Sequence, residues 1–140
     1  LNEYCDLEKE RIDFYLYDTF DPPPKSEAFP KHSDKLYDEV TQRFEGLSNI
    51  KIIKGELPES LINNHPDKIS FAHIDLNNAE AEMGVLKFIY EKVVEGGIIL
   101  FDDYGWISYK EQMLEEKKFL EDKGHKILEL PTGQGLLIKR

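Results

Sequence analysis

The sequence predicts an α/β fold with a mostly parallel sheet covered by helices on both faces. Short runs rich in β-branched and aromatic residues alternate along the chain with stretches of helical periodicity. The runs are apolar throughout instead of alternating with polar residues, which is typical of strands buried on both faces. Because 140 residues give room for one compact domain, or most of one, we expect residues 1–140 to belong to a single domain.

The first half of the chain predicts two strands separated by a helix. Residues 12–17 are rich in Ile, Phe, Tyr and Leu, and a run of three prolines that begins at Pro22 prevents this strand from continuing. Apolar side chains share one helical face over residues 33–44, and residues 50–54 form the second strand. A further helix over residues 1–10 is compatible with the same patterns.

The second half of the chain continues the alternation and ends in a hairpin. Gly96 and Gly97 are predicted to end a helix whose apolar face lies in the core. The charged run 111–118 is expected to be a solvated helix face. The last two strands are joined by too few residues for a helical crossover, so they form a hairpin that adds one antiparallel strand near the C-terminus. The predicted strands are 69–75, 98–101, 126–130 and 136–139, and the predicted helices are 83–93 and 106–120.

The charge balance excludes several classes of partner. Asp and Glu number 28 against 18 Lys and Arg, which gives a formal net charge of -10. Binding to nucleic acid or to an anionic membrane requires a basic surface, so we expect neither partner. The single cysteine, Cys5, cannot form an internal disulfide, and nothing indicates an oxidising compartment. We therefore expect a cytoplasmic protein that binds a small molecule, and a homo-oligomer is compatible with the sequence.

Acidic residues follow the predicted parallel strands. In open α/β sheets the ligand lies beyond the carboxyl ends of the strands. Carboxylates gathered there repel one another unless a cation compensates, and hard oxygen ligands suit Mg²⁺. For a single aspartate, capping of the next helix is the favoured interpretation, but for the acids after the last two parallel strands together we expect a metal site. The residues at these strand ends are Asp18, Gly55 with Glu56, Asp75, and Asp102 with Asp103.

Five segments of the chain carry a resemblance to a known family. The most specific one contains two glycines, four apolar residues, two aspartates and a tyrosine. In the same order, these segments resemble class I S-adenosylmethionine-dependent methyltransferases, and among them the macrocin O-methyltransferase-like (TylF-type) family, which modifies sugar hydroxyls in antibiotic biosynthesis. The resemblance implies that residues 1–140 form a single, N-terminally incomplete methyltransferase catalytic domain with a Rossmann-like sheet. The segments are residues 14–21, 52–61, 73–77, 95–106 and 130–139.

The resemblance implies a cofactor site after the first two strands. Asp18 would hold the ribose of S-adenosylmethionine, with Thr19 and Phe20 beside it. An acidic residue in this position commonly accepts hydrogen bonds from ribose hydroxyls. Gly55 and Glu56 would lie near the adenine.

The resemblance also implies a magnesium site and an O-methyl transfer. Asp75, Asp102 and Asp103 would bind Mg²⁺, and Asp75 would serve both the cofactor and the reaction. A sugar hydroxyl is a poor nucleophile at neutral pH, and coordination to the metal lowers its pKa and orients its oxygen toward the methyl group. The setting would be saccharide or secondary-metabolite biosynthesis.

The sequence departs from the family at the expected catalytic base. Two positions after the strand-end aspartate, where the family has a second aspartate, stands Asn77, and the following position, a lysine in catechol-type relatives, is Asn78. Neither amide can act as a base at neutral pH. His73, His32 and Tyr104 are candidate bases, and activation by the metal alone or loss of activity are the alternatives. For His73, a hydrogen-bonded histidine within the sheet is the favoured interpretation. The predicted catalytic positions are Asp75, His73 and Asn77.

Three residues near the same strand ends are candidates for acceptor binding. Tyr104 and Trp106 directly follow the aspartate pair, and an aromatic pair there could form a wall for the acceptor. Packing of these rings in the core is an equally good interpretation. Gln134 lies between two glycines in the predicted hairpin, where a plain turn explains the glycines as well.

The leading hypothesis is thus a magnesium-assisted O-methyltransferase, with a non-catalytic methyltransferase-like binding domain as the alternative that Asn77 supports. A different cofactor-binding domain, such as a dehydrogenase, is disfavoured by residues 95–106. In the methyltransferase topology the strand with the glycine-rich loop lies between the first and third strands of this chain. Because the chain starts at Leu1 without that strand, we expect it, and half of the cofactor site, to lie upstream.

Overall fold

The computed structural model describes residues 9–20 and 35–140, and the fold class is confirmed as α/β. Strands and helices alternate through this part of the chain. The strands are β1 (Phe14–Asp18), β2 (Ile50–Lys54), β3 (Ile69–Ile74), β4 (Val93–Phe101), β5 (Leu128–Glu129) and β6 (Gly135–Ile138). The helices are α1 (Leu36–Arg43), α2 (Glu59–Asn63), α3 (Ala79–Tyr90) and α4 (Lys110–Glu121), and a 3-10 turn (Ile107–Tyr109) precedes α4.

The first compact unit, Leu1–Asn64, is built on two parallel strands. β1 pairs with β2 from Phe14 opposite Ile50 to Asp18 opposite Lys54, so both strands end at the same edge. The short helix α2 directly follows β2 and was not predicted. The loop with the prolines from Pro22, the start of the helix predicted at 33–44 and His32 lie outside the described residues. Of the helix predicted over residues 1–10, only the last two residues are described, and they form a turn.

The second compact unit, His65–Arg140, contains a four-stranded sheet in the order β3-β4-β6-β5. β3 and β4 are parallel, whereas β6 pairs antiparallel with both β4 and β5. The predicted hairpin and the single antiparallel strand near the C-terminus are therefore confirmed. The six strands of the described residues form two sheets instead of one. β1 and β3 belong to different sheets, and none of the described strands pairs with both of them.

The start of β4 differs from the prediction. Helix α3 ends at Tyr90, and Val93, predicted to be its last apolar position, begins the strand. The glycines expected to end the helix lie inside β4, where its register with β3 shifts between Ile69 and Phe71. Gly96 has a φ of +77°, and a Cβ on Gly97 would come within 2.7 Å of Val93 Cγ1. The glycines therefore permit a bulge in the strand.

The core of the second unit lies between the sheet and the helices α3 and α4. Leu86, Ile99, Phe101 and Leu120 are fully buried, and the apolar face predicted for the helix before β4 is confirmed as core. The solvated face predicted for residues 111–118 is wrong at two positions, because Gln112 and Glu116 are buried. Within the described residues, no helix is long and apolar enough to span a bilayer.

Candidate functional site

In the first unit, the ends of β1 and β2 bring Asp18 and Gly55 together. The backbone N–H of Gly55 donates to the carbonyl oxygen of Asp18 over 3.0 Å. The Asp18 carboxylate accepts a hydrogen bond of 2.7 Å from the backbone N–H of Phe20, whose φ of 54° lies in the left-handed region. This local bond fixes the loop that contains Thr19, and Asp18 itself, the last residue of β1, is exposed.

Gly55 is required by the close approach of helix α2. Its φ is +154°, and a Cβ at this position would lie 2.9 Å from the Cβ of Ser60. Glu56 follows and is exposed at the start of the same connection. The structure thus gathers all five residues predicted to bind the cofactor in this unit into two loops that follow adjacent parallel strands. Backbone and carboxylate acceptors at such an edge suit a ligand with several hydroxyl groups.

In the second unit, three strands bring His73, Asp102 and Gln134 together. The backbone N–H of Asp102 donates to the carbonyl oxygen of Ile74 over 3.0 Å, which aligns the ends of β3 and β4. Asp102 Oδ1 accepts a hydrogen bond of 2.7 Å from Gln134 Nε2 and lies 3.2 Å from His73 Nε2. Thr132 Oγ1 in turn donates to Gln134 Oε1 over 3.0 Å, which orients the amide. We refer to His73, Asp102 and Gln134 as the polar triad.

The two neighbouring aspartates experience opposite electrostatic environments. The hydrogen bond from Gln134 lowers the pKa of Asp102, and the contact with His73 adds to this effect. Burial raises the pKa of Asp103, and the negative charges of Asp75 and Asp102 raise it further. The carboxyl end of this sheet therefore keeps one stabilised carboxylate beside one that is poorly compensated.

The asparagines that replace the expected catalytic residues have structural roles in the loop after β3. Asn77 has a φ of 51°, a left-handed conformation that asparagine adopts more readily than most residues, and its amide Nδ2 lies 3.4 Å from Asp75 Oδ1. Asn78 is the N-cap of α3, since its side-chain oxygen accepts a 3.0 Å bond from the N–H of Ala81. His73 satisfies the favoured interpretation of a hydrogen-bonded histidine on the sheet, with 44% of its side chain exposed.

The predicted magnesium ligands share one edge but do not form a ligand set. Asp75, Asp102 and Asp103 influence one another electrostatically, and hard carboxylate oxygens are the donors that Mg²⁺ prefers. However, the described residues contain no group of three or more histidine, cysteine or acidic side chains placed to hold a metal ion. Asp102 Oδ1 is instead engaged by Gln134 and His73. The side chains as arranged therefore do not fit a metal centre.

The aromatic residues after β4 differ in exposure. Tyr104 is 7% exposed, and its ring packs near that of Phe101, so it belongs to the core. Burial raises the pKa of its hydroxyl, and nearby glutamates, with Glu116 the strongest, raise it further. Trp106 is 59% exposed. A Cβ on Gly133 would lie 2.9 Å from Trp106 Nε1, so the glycine allows the indole to lie against the β5–β6 turn near Gln134.

Sequence reasoning missed two buried acids close to this edge, Glu82 on α3 and Glu116 on α4. The signal for Glu116 was its spacing, because it lies one helical turn before the fully buried Leu120. Its charge argued for a solvated position. The backbone N–H of Leu76 donates to the Glu82 carboxyl, which connects this acid to the loop after β3.

A comparison with protein families gave one match that covers most of the chain. The family model described as Macrocin-O-methyltransferase (TylF) matches residues 6–127. The match includes the strand ends with Asp18, Asp75 and Asp102, and it ends before the hairpin with Gln134. No curated protein sequence matches the chain.

Solved structures share the fold at low sequence identity. The O-methyltransferase NovP is 15% identical with a TM-score of 0.72, and the match covers 95% of this chain and 63% of NovP. CalS11, a TDP-rhamnose 3'-O-methyltransferase of calicheamicin biosynthesis, is 19% identical with a TM-score of 0.65 and coverages of 90% and 58%. The SAH-bound methyltransferase PaMTH1 from Podospora anserina is 15% identical with a TM-score of 0.67 and coverages of 98% and 64%. The chain thus spans less than two thirds of the length of each.

Proposed function

Because this chain belongs to the macrocin O-methyltransferase (TylF) family, we propose that the protein transfers a methyl group from S-adenosylmethionine to a hydroxyl group of a sugar-like acceptor. The observation that carries the proposal is the polar triad at the carboxyl end of the second sheet. There a histidine contacts a carboxylate at an exposed strand end, an arrangement able to accept a proton from a hydroxyl group. The setting would be saccharide or secondary-metabolite biosynthesis.

The loops after β1 and β2 are the proposed binding site for the cofactor's nucleoside. The Asp18 carboxylate would accept hydrogen bonds from the ribose hydroxyls, while the Phe20 N–H holds its Oδ1 in place. Thr19, Gly55 and Glu56 would line the same edge. The SAH-bound relative PaMTH1 supports this choice of cofactor, since it shares the fold over 98% of this chain.

His73 is the proposed general base. If its Nε2 carries the hydrogen in the 3.2 Å contact, it donates to Asp102, and Nδ1 is then the unprotonated nitrogen able to take a proton. Asp102 would hold the ring in this orientation, and Gln134 would hold Asp102. Among the other candidates, Tyr104 is buried with a raised pKa, so its phenol is protonated at neutral pH.

A sugar is the proposed acceptor. The exposed indole of Trp106 offers a flat apolar surface, on which the C–H face of a sugar ring could pack while its hydroxyls reach polar groups such as Gln134. The relatives support this choice, because the matched family is named for macrocin O-methylation and CalS11 methylates TDP-rhamnose.

Magnesium is a separate part of the proposal. The pKa of Asp103 is raised by burial and then by the charges of Asp75 and Asp102, and this concentration of negative charge is the observation in favour of a cation there. Because the described side chains form no three-ligand group, we derive no step of the reaction from a metal. Methyl transfer measured in the presence of a chelator, and again after addition of Mg²⁺, will separate a metal-dependent reaction from one that the polar triad supports alone.

A second candidate is a methyltransferase-like domain that binds the cofactor without methyl transfer. Asn77 favours it, because an amide that donates to Asp75 stands where the family has its suspected base. This candidate predicts cofactor binding with no turnover of any acceptor.

Titration calorimetry with S-adenosylmethionine tests the proposed cofactor site. We expect the protein to bind the cofactor, and Asp18→Ala to weaken binding about tenfold or more, because a hydrogen bond to a charged group is lost. Asp13→Ala, an exposed aspartate just before β1, is the matched control and should bind normally. Failure of the wild-type protein to bind the cofactor would overturn the proposed function.

A further inference from the structure

Two glutamates are buried between helices α3 and α4. Glu82 on α3 and Glu116 on α4 are each only 1% exposed, and the two helices pack against each other. Within the described ranges 9–20 and 35–140, no lysine, arginine or histidine forms an ion pair with either carboxyl group. Burial of a carboxylate without a positive partner costs free energy, and burial of two carboxylates in contact costs more. The pair therefore needs a compensating group.

Among the described residues, three of the four carboxyl oxygens of this pair have no well-placed hydrogen-bond donor. In the part of the chain that the structure describes, Glu82 Oε2 and both Glu116 oxygens are buried without a hydrogen bond of good geometry, and so is Gln112 Oε1 nearby. A protonated carboxyl supplies a donor, whereas two carboxylates offer acceptors only. One proton between the two groups removes a charge and satisfies at least one buried oxygen.

The environment of the pair favours the protonated state. Burial raises the pKa of Glu116 most, and the adjoining Glu82 carboxyl raises it further, so that the pKa reaches about 9. Burial also raises the pKa of Glu82, although hydrogen bonds with Glu116 and the Leu76 backbone act in the opposite direction. The titratable and polar groups that face the pair from the surrounding elements are Asp75, Asp103, Tyr104 and Gln112.

Glu82 also contacts the loop that carries Asp75. The backbone N–H of Leu76 donates to the Glu82 carboxyl, and Leu76 lies between Asp75 and Asn77. The same loop is attached to α3 a second time, through the N-cap bond of Asn78. The position of the loop that carries Asp75 therefore depends on where the Glu82 side chain is held. Glu116 is the neighbour of Glu82 in the core.

We propose that Glu82 and Glu116 share one buried proton at neutral pH and act together as positioning residues for the loop that carries Asp75. With the proton present, the two carboxyls attract each other across the helix interface, and Glu82 stays in place as the acceptor for Leu76. When the proton leaves, the two carboxylates repel each other and that acceptor moves. The part of this proposal that concerns turnover rests on the proposed methyl transfer, whereas the shared proton does not.

Carbon-13 spectra of the full chain, labelled at the glutamate carboxyl carbons, test the shared proton without any assay of activity. We expect one glutamate carboxyl to titrate near pH 9, with the amide signal of Leu76 shifting over the same range. Glu116→Gln, which is neutral and of equal size, should abolish both changes, and the exposed neighbour variant Glu115→Gln should keep them. Titration of every glutamate in its ordinary range, or a Leu76 amide that does not respond, would overturn the proposal.

Kinetics test the positioning role once methyl transfer has been measured. Wild-type kcat should fall as pH rises toward 9 with little change in the KM for S-adenosylmethionine, and Glu116→Gln should remove this alkaline loss. Glu82→Leu, which deprives Leu76 of its acceptor, should lower kcat about tenfold at neutral pH. An unchanged kcat in Glu82→Leu contradicts the positioning role even if the shared proton is observed. If no variant or wild-type sample transfers methyl groups, the proposed function fails, and the Leu76 amide still tests the loop contact.

Discussion

The two ends of the four-stranded sheet differ in how their charges are balanced. At the amino end of β4, Lys139 Nζ donates to the carbonyl oxygens of Tyr90 over 2.6 Å and Val93 over 2.8 Å, and it lies 4.5 Å from the centre of the Tyr90 ring. Lys123 lies over the same ring and pairs with Glu91 at 3.3 Å. At the carboxyl end, acidic side chains meet amides and one histidine, and no lysine or arginine of the described residues forms an ion pair there.

This difference separates a stabilising end from an end suited to bind a ligand. The amino-end lysines find acceptors and aromatic rings inside the protein, so their charges are used to close the fold. At the carboxyl end, burial raises the pKa of Asp103, the charges of Asp75 and Asp102 raise it further, and no lysine or arginine among the described residues forms an ion pair that compensates for them. Perturbed groups of this kind gather where ligands bind and react.

The largest expected effect is the loss of turnover on removal of Asp102. Asp102→Ala deletes the partner of both His73 and Gln134, so we expect methyl transfer to fall about 100-fold or more. Unfolding in urea should change little, because the side chain is one third exposed. Asp67→Ala, an exposed aspartate before β3, is the control and should retain full turnover. Equal turnover in the two variants contradicts a functional role for the polar triad.

Removal of Lys139 should have the opposite effect to removal of Asp102, because it should lower stability and leave cofactor binding unchanged. Lys139→Met leaves two backbone carbonyl oxygens without their donor, and we expect the free energy of unfolding to fall by about 1–3 kcal/mol. Cofactor binding, measured at a temperature where the variant is folded, should be unchanged. Lys126→Met at an exposed position provides the comparison. A variant that keeps its stability but loses cofactor affinity would reverse the proposed division between the two ends.

The buried glutamates predict how stability depends on pH. Between the ordinary pKa of 4.5 and about 9, the folded state retains a proton on Glu116 that the unfolded state releases. The free energy of unfolding should therefore decrease as pH rises through this range, with a slope approaching about 1.4 kcal/mol per pH unit for one proton. Urea unfolding at several pH values gives the slope of the free energy of unfolding against pH for wild type and for Glu116→Gln. The difference between the two slopes isolates this contribution. Parallel pH profiles for the two proteins are incompatible with a buried shared proton.

The smallest expected effect is a change in how stability responds to low pH. Gln134→Leu removes the hydrogen bond that most strongly lowers the pKa of Asp102, so this pKa should rise toward its ordinary value. A lowered folded-state pKa contributes stability above the ordinary aspartate range, and this contribution is lost as pH falls through the folded value. The Gln134→Leu variant should therefore lose less stability on acidification than the wild-type protein does. Carbon-13 titration of the aspartate carboxyls measures the shift, and Thr132→Val, which removes only the hydroxyl that orients Gln134, should give a smaller one.

The predictable features were those that depend on residue type at a strand end. The acids after β1, β3 and β4 follow directly from apolar runs, and the last two strands are too close for a crossover, so both the candidate edge and the hairpin could be expected. The start of β4 could not, because helical spacing continues to Val93, and only the sheet register shows that Gly96 and Gly97 form a bulge.

The buried glutamates show a second limit of sequence reasoning. Glu116 has the spacing of a core position and the charge of a surface one, and charge is usually the better guide to exposure. Its burial arises where its helix packs against the helix that carries Glu82, and no local pattern reveals that contact. The role of Asn77 was hidden in the same way, since its left-handed backbone and its contact with Asp75 emerge only in the folded loop.

Transfer of a labelled methyl group from S-adenosylmethionine to a panel of sugar acceptors, including nucleotide-linked sugars, tests the central claim most directly. We predict that the wild-type protein labels a hydroxyl group of at least one sugar, that Asp102→Ala loses this transfer, and that folded Lys139→Met retains it. Cofactor binding without transfer to any acceptor would contradict the account and favour a binding domain. Transfer that is equally sensitive to both substitutions would contradict the separation between the two ends of the sheet.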